Sequence, residues 1–479
     1  MMSAPAARCR ARTAADPMDS TITVTLVDGV RVVVPDTLER ITPYVLQEQQ
    51  DWFEDEIKFL RRVLRPGQQV LDIGANFGVY TLSMAQAVGT TGRVWAFEPA
   101  SETAELLAAG IEANRFTHVS VERCALSSSS GSAELSLQPD PELNALVRGA
   151  LAAGRTETVP VLTLDECLEG HGWRDIEFVK MDAEGEEAAI LRGGTRFFAQ
   201  QSPLVQYEVK AGNDVHLGLV QAFAALDYVS YRLVPGLDLL VPFDAGAPPD
   251  GFLLNLFSCK PDRAARLAAA GFLVEKTAGA RSGYVGAAQN WRSSLARLPY
   301  AAPLAASWER TVAAGKSGEV EEALALYAAS REATRPAAER YAALEKGFTS
   351  LAKVCAREPA YLRLSSVARL ARDYGSRTAA ATALARLCES LFQRGGADPG
   401  EPFLAPGPRF DSVPPAAALG DWIVAAALEE LERVGSFSSF YTGRGAQQRL
   451  ELIRNLGYGG PEMQRRLSLL QRRFGLPAS

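Results

Sequence analysis

Apolar positions in the first half of the chain fall in short runs that end at a glycine or an acid, after which the period changes. Val70, Leu71 and Ile73 lie between Pro66-Gly67 and Gly74, as in a parallel strand covered on both faces. Past Gly78, Val79, Leu82 and Ala85 are spaced for a helix. Further strands are predicted at Arg93–Pro99, Val119–Leu126, Ala133–Leu137 (an edge strand), Val159–Leu164, Ile176–Met181 and Leu204–Lys210, with Thr163 or Asp165 capping the helix through Leu168. Tyr228–Leu233 and Leu253–Ser258 read as an antiparallel closing pair separated by a Pro- and Gly-rich loop, Pro235–Gly251. Ahead of these, Ile22–Val34 reads as a hairpin over Asp28-Gly29, serving as a lid or extra edge, and Gln47–Leu64 as one amphipathic cover helix. The alternation predicts an α/β, doubly wound sheet with an antiparallel closing strand.

From about Leu267 the spacing becomes helical throughout, as at Val320, Ala323, Leu324 and Tyr327, and predicts an all-α C-terminal domain. Lys316–Tyr327 looks like half of a tetratricopeptide unit, but no clean repeat follows, so divergent helical repeats and a plain bundle both stay open. Pro399–Pro415 is a Pro-rich break carrying Phe403 and Phe410. The expected division is a disordered tail (1–20, with Met18 an alternative start), hairpin and cover helix (21–66), α/β domain (67–262) and helical domain (263–479).

The chain has 479 residues and a formal net charge of −6, which argues against nucleic-acid binding as its main business. No apolar run approaches the roughly twenty residues needed to span a bilayer. Six scattered cysteines without a C-x-x-C pair read as reduced thiols of a cytoplasmic protein. The three histidines are not spaced as metal ligands, so no zinc site is expected.

The chemistry is concentrated in Gly74-x-Asn76-x-Gly78. A strand that stops at glycine and turns into a helix is expected to expose unpaired backbone N–H groups to a ligand. The spacing is not the G-x-G-x-x-G of dinucleotide sites, which disfavours a nicotinamide oxidoreductase, and Asp72 would repel phosphate yet could face an amino group. S-Adenosylmethionine, which has no phosphate and carries an ammonium and a sulfonium, fits that pattern. Glu98 lies about twenty residues beyond Gly78, where a carboxylate can hydrogen-bond a ribose diol. Near Ala125 the third strand ends where an adenine would lie on small apolar side chains. The strand ending at Met181 puts Asp182 and Glu184 on the same sheet edge, and the next adds Glu208. Blander readings stand beside these: any α/β strand-to-helix turn at Gly74, a solvated loop glutamate at Glu98, and helix capping at Asp182 and Glu184.

Taken together, Val70–Gly78, Phe97-Glu98-Pro99, Asn114 with Ala125-Leu126-Ser127, and Val179–Glu186 with Leu191-Arg192-Gly193 resemble the FkbM family of S-adenosylmethionine-dependent methyltransferases, class I in fold, over about Thr42 to Lys260. The resemblance implies Asp72, Gly74, Asn76 and Gly78 around the methionine portion of the cofactor, Glu98 on its ribose, and Asp182 with Glu184 beside the reacting centre. Gly110 departs from the family, which commonly has asparagine there. O-methylation of a glycan or secondary-metabolite hydroxyl is the implied reaction.

A rim carboxylate or histidine would take the hydroxyl proton, with Asp182 first, Glu208 second and His216 third. Asp182, Glu184 and Glu208 could instead hold Mg²⁺, which is not expected. The rival reading is a cofactor-binding scaffold whose helical half grips a protein partner or a second copy of the chain.

Overall fold

The apolar runs form the strands that their spacing demands, and the sheet they build fixes one edge for chemistry. The structure, a computed structural model, describes residues 20–147, 154–211, 214–215, 217–275, 290–315, 317–360, 362–396, 398–416 and 418–475. The expected tail before Ser20, and His216, lie outside the described residues.

Eight strands make the main sheet: β1 Gln69–Ile73, β2 Arg93–Phe97, β3 Val119–Glu122, β4 Ile176–Met181, β5 Leu204–Glu208, β6 Val229–Val234, β7 Leu239–Pro242 and β8 Asn255–Cys259. Their spatial order is β7-β6-β8-β5-β4-β1-β2-β3. Strands β3, β2, β1, β4 and β5 run parallel, and β8 enters antiparallel between β5 and β6. This is the class I methyltransferase arrangement. The order reverses between β1 and β4, so a crevice opens at their carboxyl ends. The loop expected between the closing strands holds a strand of its own, β7, paired to β6.

Other departures follow from turn chemistry. The hairpin forms from Thr21–Thr25 and Arg31–Pro35, with Gly29 at φ +86°, but it is neither lid nor sheet edge. It packs outside the sheet, clamped by Asn114, whose side chain bonds both the N–H and the carbonyl of Arg31 (2.9 and 2.6 Å). The cover helix is two helices, α1 Ile41–Gln49 and α2 Asp55–Val63. Gln50 turns left-handed at φ +56°, and Asp51 accepts from the Trp52 N–H while pairing with Arg61 of α2. Helix α3, Val79–Val88, follows the glycine turn, and α4, Ser101–Asn114, follows β2. At Gly110 a side chain would press on Leu82 of α3 (3.0 Å), so the family departure sits at a close helix contact and leaves α4 intact.

The run Val119–Leu126 splits: β3 ends at Glu122, and Ala125–Leu126 leaves for a second sheet. There it pairs with Arg155–Leu162, which pairs in turn with Gly131–Leu137 and that with Ala145–Leu146. The stretch expected as an edge strand, Ala133–Leu137, is therefore interior to a four-stranded sheet standing over the crevice.

The C-terminal half is helical, each long helix packing on the next from Gly318–Ser330 through Ala337–Arg357, Arg363–Tyr374, Arg377–Arg394 and Leu419–Val434. No helix among the described residues is long and apolar enough to cross a membrane. The Pro-rich break is a buried strap. Phe403 and Phe410 are almost wholly enclosed, and Tyr300 holds the backbone of Phe403 and Ala405 (3.0 and 3.1 Å). The two halves are joined by buried polar contacts. Glu48 of α1 accepts from the Ser439 N–H (3.0 Å) and pairs with Arg466 (3.4 Å), both charged groups being about 1% exposed or less. Removing one member of a buried pair strands the other's charge, so Arg466→Ala is expected to lower stability by about 3–5 kcal/mol, read by denaturant unfolding.

Candidate functional site

A cleft of about 1020 Å³ lies over the carboxyl ends of β1, β2 and β4. Of the residues anticipated for the site, Gly74, Asn76, Glu98, Ala125, Asp182 and Glu184 line it. Asp72, Gly78 and Glu208 are not among its lining residues. Asp72 is fully buried beneath the turn, accepts from the Thr81 hydroxyl (2.5 Å), and is pushed up to about 6 by burial. Gly78 begins α3 at φ +83°, where a side chain would strike Leu107 (2.3 Å). Glu208 lies beside Asp182 and Glu184, one carboxylate oxygen from each falling within 4.8 Å of the others.

The turn does not expose its backbone N–H groups. Gly74 and Ala75 both donate to the Phe97 carbonyl (3.1 and 3.0 Å), Asn76 to Glu98 Oε2 (2.8 Å), Phe77 to its neighbour Asn76 Oδ1 (2.7 Å) and Gly78 to the Ala75 carbonyl (2.9 Å). Asn76 can do this because it adopts φ +49°, a conformation asparagine tolerates. A phosphate would find no free backbone N–H on these five residues. It would also meet six carboxylates, Glu54, Glu98, Glu142, Asp182, Glu184 and Glu186, against one cation, Lys180, in the cleft wall. The site suits a ligand that is cationic where it meets the protein.

Glu98 is not a solvated loop residue. Its two oxygens brace the turn, from Asn76, and the start of α4, from the Ala100 N–H (2.9 Å), and burial pushes it up to about 7. Each oxygen keeps a lone pair for a diol. Ala125, Leu126, Leu135 and Leu146, all from the second sheet, supply an apolar wall. These features, an apolar slot, a diol acceptor and an acidic end, match the three parts of S-adenosylmethionine.

Beyond β4 the chain runs through Glu184 at φ +46° and Gly185 at φ +92°, a conformation stored at the cleft. No side chain caps the helix that follows, Glu187–Gly193; Glu187 instead accepts from the N–H groups of Ala183 and Gly185 in the turn before it (2.8 and 3.4 Å), and Asp182 and Glu184 cap nothing. Lys180, buried on β4, pairs with Asp182 Oδ2 at 2.8 Å and sits 5.0 Å from the Tyr80 ring centre. Tyr80 donates to Glu54 and accepts from Gln206 Nε2 (3.1 Å).

Lys180, Tyr80, Glu54, Trp52 and Gln206 escaped the sequence reading as site residues. Lys180 carried a signal, a charge inside an apolar strand. Trp52 and Glu54 did not, since a continuous helix would have carried them elsewhere.

Residues 72–230 match the family model described as Methyltransferase FkbM domain. The match covers about a third of the chain and takes in the glycine turn, Glu98 and the stretch around Asp182. Among solved structures it is similar to methyltransferase FkbM from Methylobacillus flagellatus KT (16% identity, TM-score 0.28, covering 42% of this chain and 50% of that one). It is also similar to a SAM-dependent O-methyltransferase from Thermotoga maritima (13%, 0.26, 51% and 94%) and an rRNA methylase from Streptococcus thermophilus (10%, 0.25, 43% and 93%). No curated protein matches the chain.

The acidic cluster sets a pH dependence. Burial, then the charge of Asp182, pushes Glu184 up to about 8 and Glu208 up to about 9, from an ordinary 4.5. Between the unfolded and folded values the native chain binds more protons than the unfolded one, so stability falls as pH rises through that window. Thermal denaturation of the ligand-free protein should show the midpoint dropping from about pH 5 to about pH 9, and Glu184→Gln with Glu208→Gln should flatten the slope.

Proposed function

We propose that this protein is an S-adenosylmethionine-dependent O-methyltransferase acting on a hydroxyl of a glycan or secondary metabolite. The observation that carries the reading is the cleft itself: a glycine turn with its N–H groups internally consumed, in a carboxylate-rich wall that rejects phosphate and accepts a cationic cofactor. The family match over 72–230 supports it. A nicotinamide cofactor finds no free backbone N–H for its pyrophosphate on this turn. The scaffold reading is not favoured, because a platform has no need for three carboxylates gathered within 4.8 Å at the cleft.

When bound, S-adenosylmethionine supplies a methyl carbon on a positively charged sulfur and leaves as the neutral thioether. Gly74, Asn76 and Ala125 shape its seat, and Glu98 takes the ribose diol. Asp72 acts from beneath, through the turn and Lys180. Asp182 is the base that receives the hydroxyl proton, with Lys180 holding one of its oxygens, and Glu184 and Glu208, whose ionisation burial and Asp182 disfavour, flank it as hydrogen-bonding groups. Orientation of the acceptor in line with the methyl group is the larger contribution. The five described cysteines are free and buried, in keeping with a cytoplasmic location.

Thermal shift should rise with S-adenosylmethionine and S-adenosylhomocysteine and stay flat with NAD. Asp182→Asn should keep S-adenosylhomocysteine binding while turnover falls by about 10²–10⁴-fold; unchanged turnover would remove Asp182 as the base. Activity should survive thorough chelation, and its loss would bring in a cation at the three carboxylates.

A further inference from the structure

A second cavity, of about 1100 Å³, lies between the α/β half and the helical half. It meets the cofactor cleft at Glu54, which lines both. It also borders the acidic cluster, since Asn255 in its wall is the ladder partner of Glu208. The break between α1 and α2 is what puts Phe53, Glu54 and Glu56 into this wall.

The opposite wall comes from the helical half, where Arg377 stands out. Its guanidinium lies 4.0 Å from the ring centre of Phe437 and 5.3 Å from that of Phe252. It donates to the carbonyls of Val434 (2.8 Å) and Arg433 (2.6 Å). Among the described residues no carboxylate lies within ion-pair distance of it. The neighbouring arginines are paired: Arg372 with Glu430 (2.8 Å), Arg466 with Glu462 (3.1 Å) and Arg433 with Glu429 (3.1 Å). Burial holds Arg377 down at about 10, outweighing the attraction of Asp55, Glu430 and Asp250, none of which reaches it as an ion pair. Across the cavity Glu56 is likewise without a cation at ion-pair distance among the described residues, and burial pushes it up to about 8.

We propose that this cavity is the acceptor site, and that it takes a hydroxylated carboxylate of about monosaccharide size, a hexuronate, whose acid pairs with Arg377 and whose hydroxyls meet Glu54 and Glu56. The proposal rests on the methyltransferase reading and names its substrate class. The stacked guanidinium is pre-organised for a planar carboxylate. Phe53, Phe437 and Phe252 pack on one another in the wall (ring centres 5.0 and 5.9 Å apart), giving an apolar surface for the C–H side of a sugar ring, and an acid anchored at Arg377 leaves the hydroxyl end toward Glu54 and the cofactor cleft.

The test is calorimetry on the full chain saturated with S-adenosylhomocysteine, using methyl glucuronide and methyl glucoside as probes. The glucuronide should bind about ten- to hundredfold tighter, as expected for a charge-assisted pair. Arg377→Gln should erase that preference while leaving S-adenosylhomocysteine affinity unchanged, and Arg377→Lys should restore part of it. Hydrogen exchange on the unmodified protein gives a readout independent of variant folding: the glucuronide should protect segments containing Arg377 and Phe437. Equal binding of the two probes, binding of neither, or protection elsewhere overturns the proposal. A chain that binds the probes but not S-adenosylhomocysteine removes the methyltransferase reading instead.

Discussion

The site depends on one backbone contact. The Asp182 carbonyl passes so close to Gly74 that a side-chain carbon there would lie 1.7 Å from it, and the Asp182 N–H donates to the Ile73 carbonyl (3.0 Å). Gly74 also needs φ +79°, which glycine alone adopts at little cost. That contact brings the end of β4 onto the turn after β1, so the carboxylates following β4 face whatever the turn holds. A bulkier residue at 74 would separate the cofactor seat from the candidate base.

Around that contact the protein accepts several buried charges in a small volume. Lys180 is attracted by both Asp182 and Asp72, which repel each other, and Tyr80 links Glu54 to Gln206. Such groups are costly to bury, and a fold retains them where geometry matters more than stability. Burial first, and the charge of Asp182 second, keep Glu184 and Glu208 well above ordinary carboxylates. The same crowding that disfavours ionisation leaves the cleft ready for a cation.

The helical half shares more than a linker with the α/β half. Val234, Leu237, Leu239 and Val241 of the closing strands belong to its apolar core, and Gly236 donates to the Asp373 carbonyl (2.9 Å). Arg232 lies over the Tyr374 ring and donates to its carbonyl (2.8 Å). Contacts of this kind hold Arg377 opposite Glu54 and Glu56 and Phe437 against Phe53, making a second cavity from residues hundreds of positions apart.

Local pattern was enough for the main strands, the glycine turn, the capped helix at Thr163, the closing pair and the helical character of the second half. Each rests on periodicity or turn chemistry within a few residues. Glu98, Asp182 and Glu184 could be placed at one edge because a parallel sheet aligns its carboxyl ends. Other features needed the tertiary structure. The break at Gln50 depends on Asp51 reaching Arg61, and the exit of Ala125 into a second sheet depends on its partner Val161. The internal use of the turn's N–H groups depends on Phe97 and Glu98 from the neighbouring strand and its tip. Arg377 gave no sign in its own segment, because what marks it is that no carboxylate among the described residues reaches ion-pair distance, a property of everything packed around it.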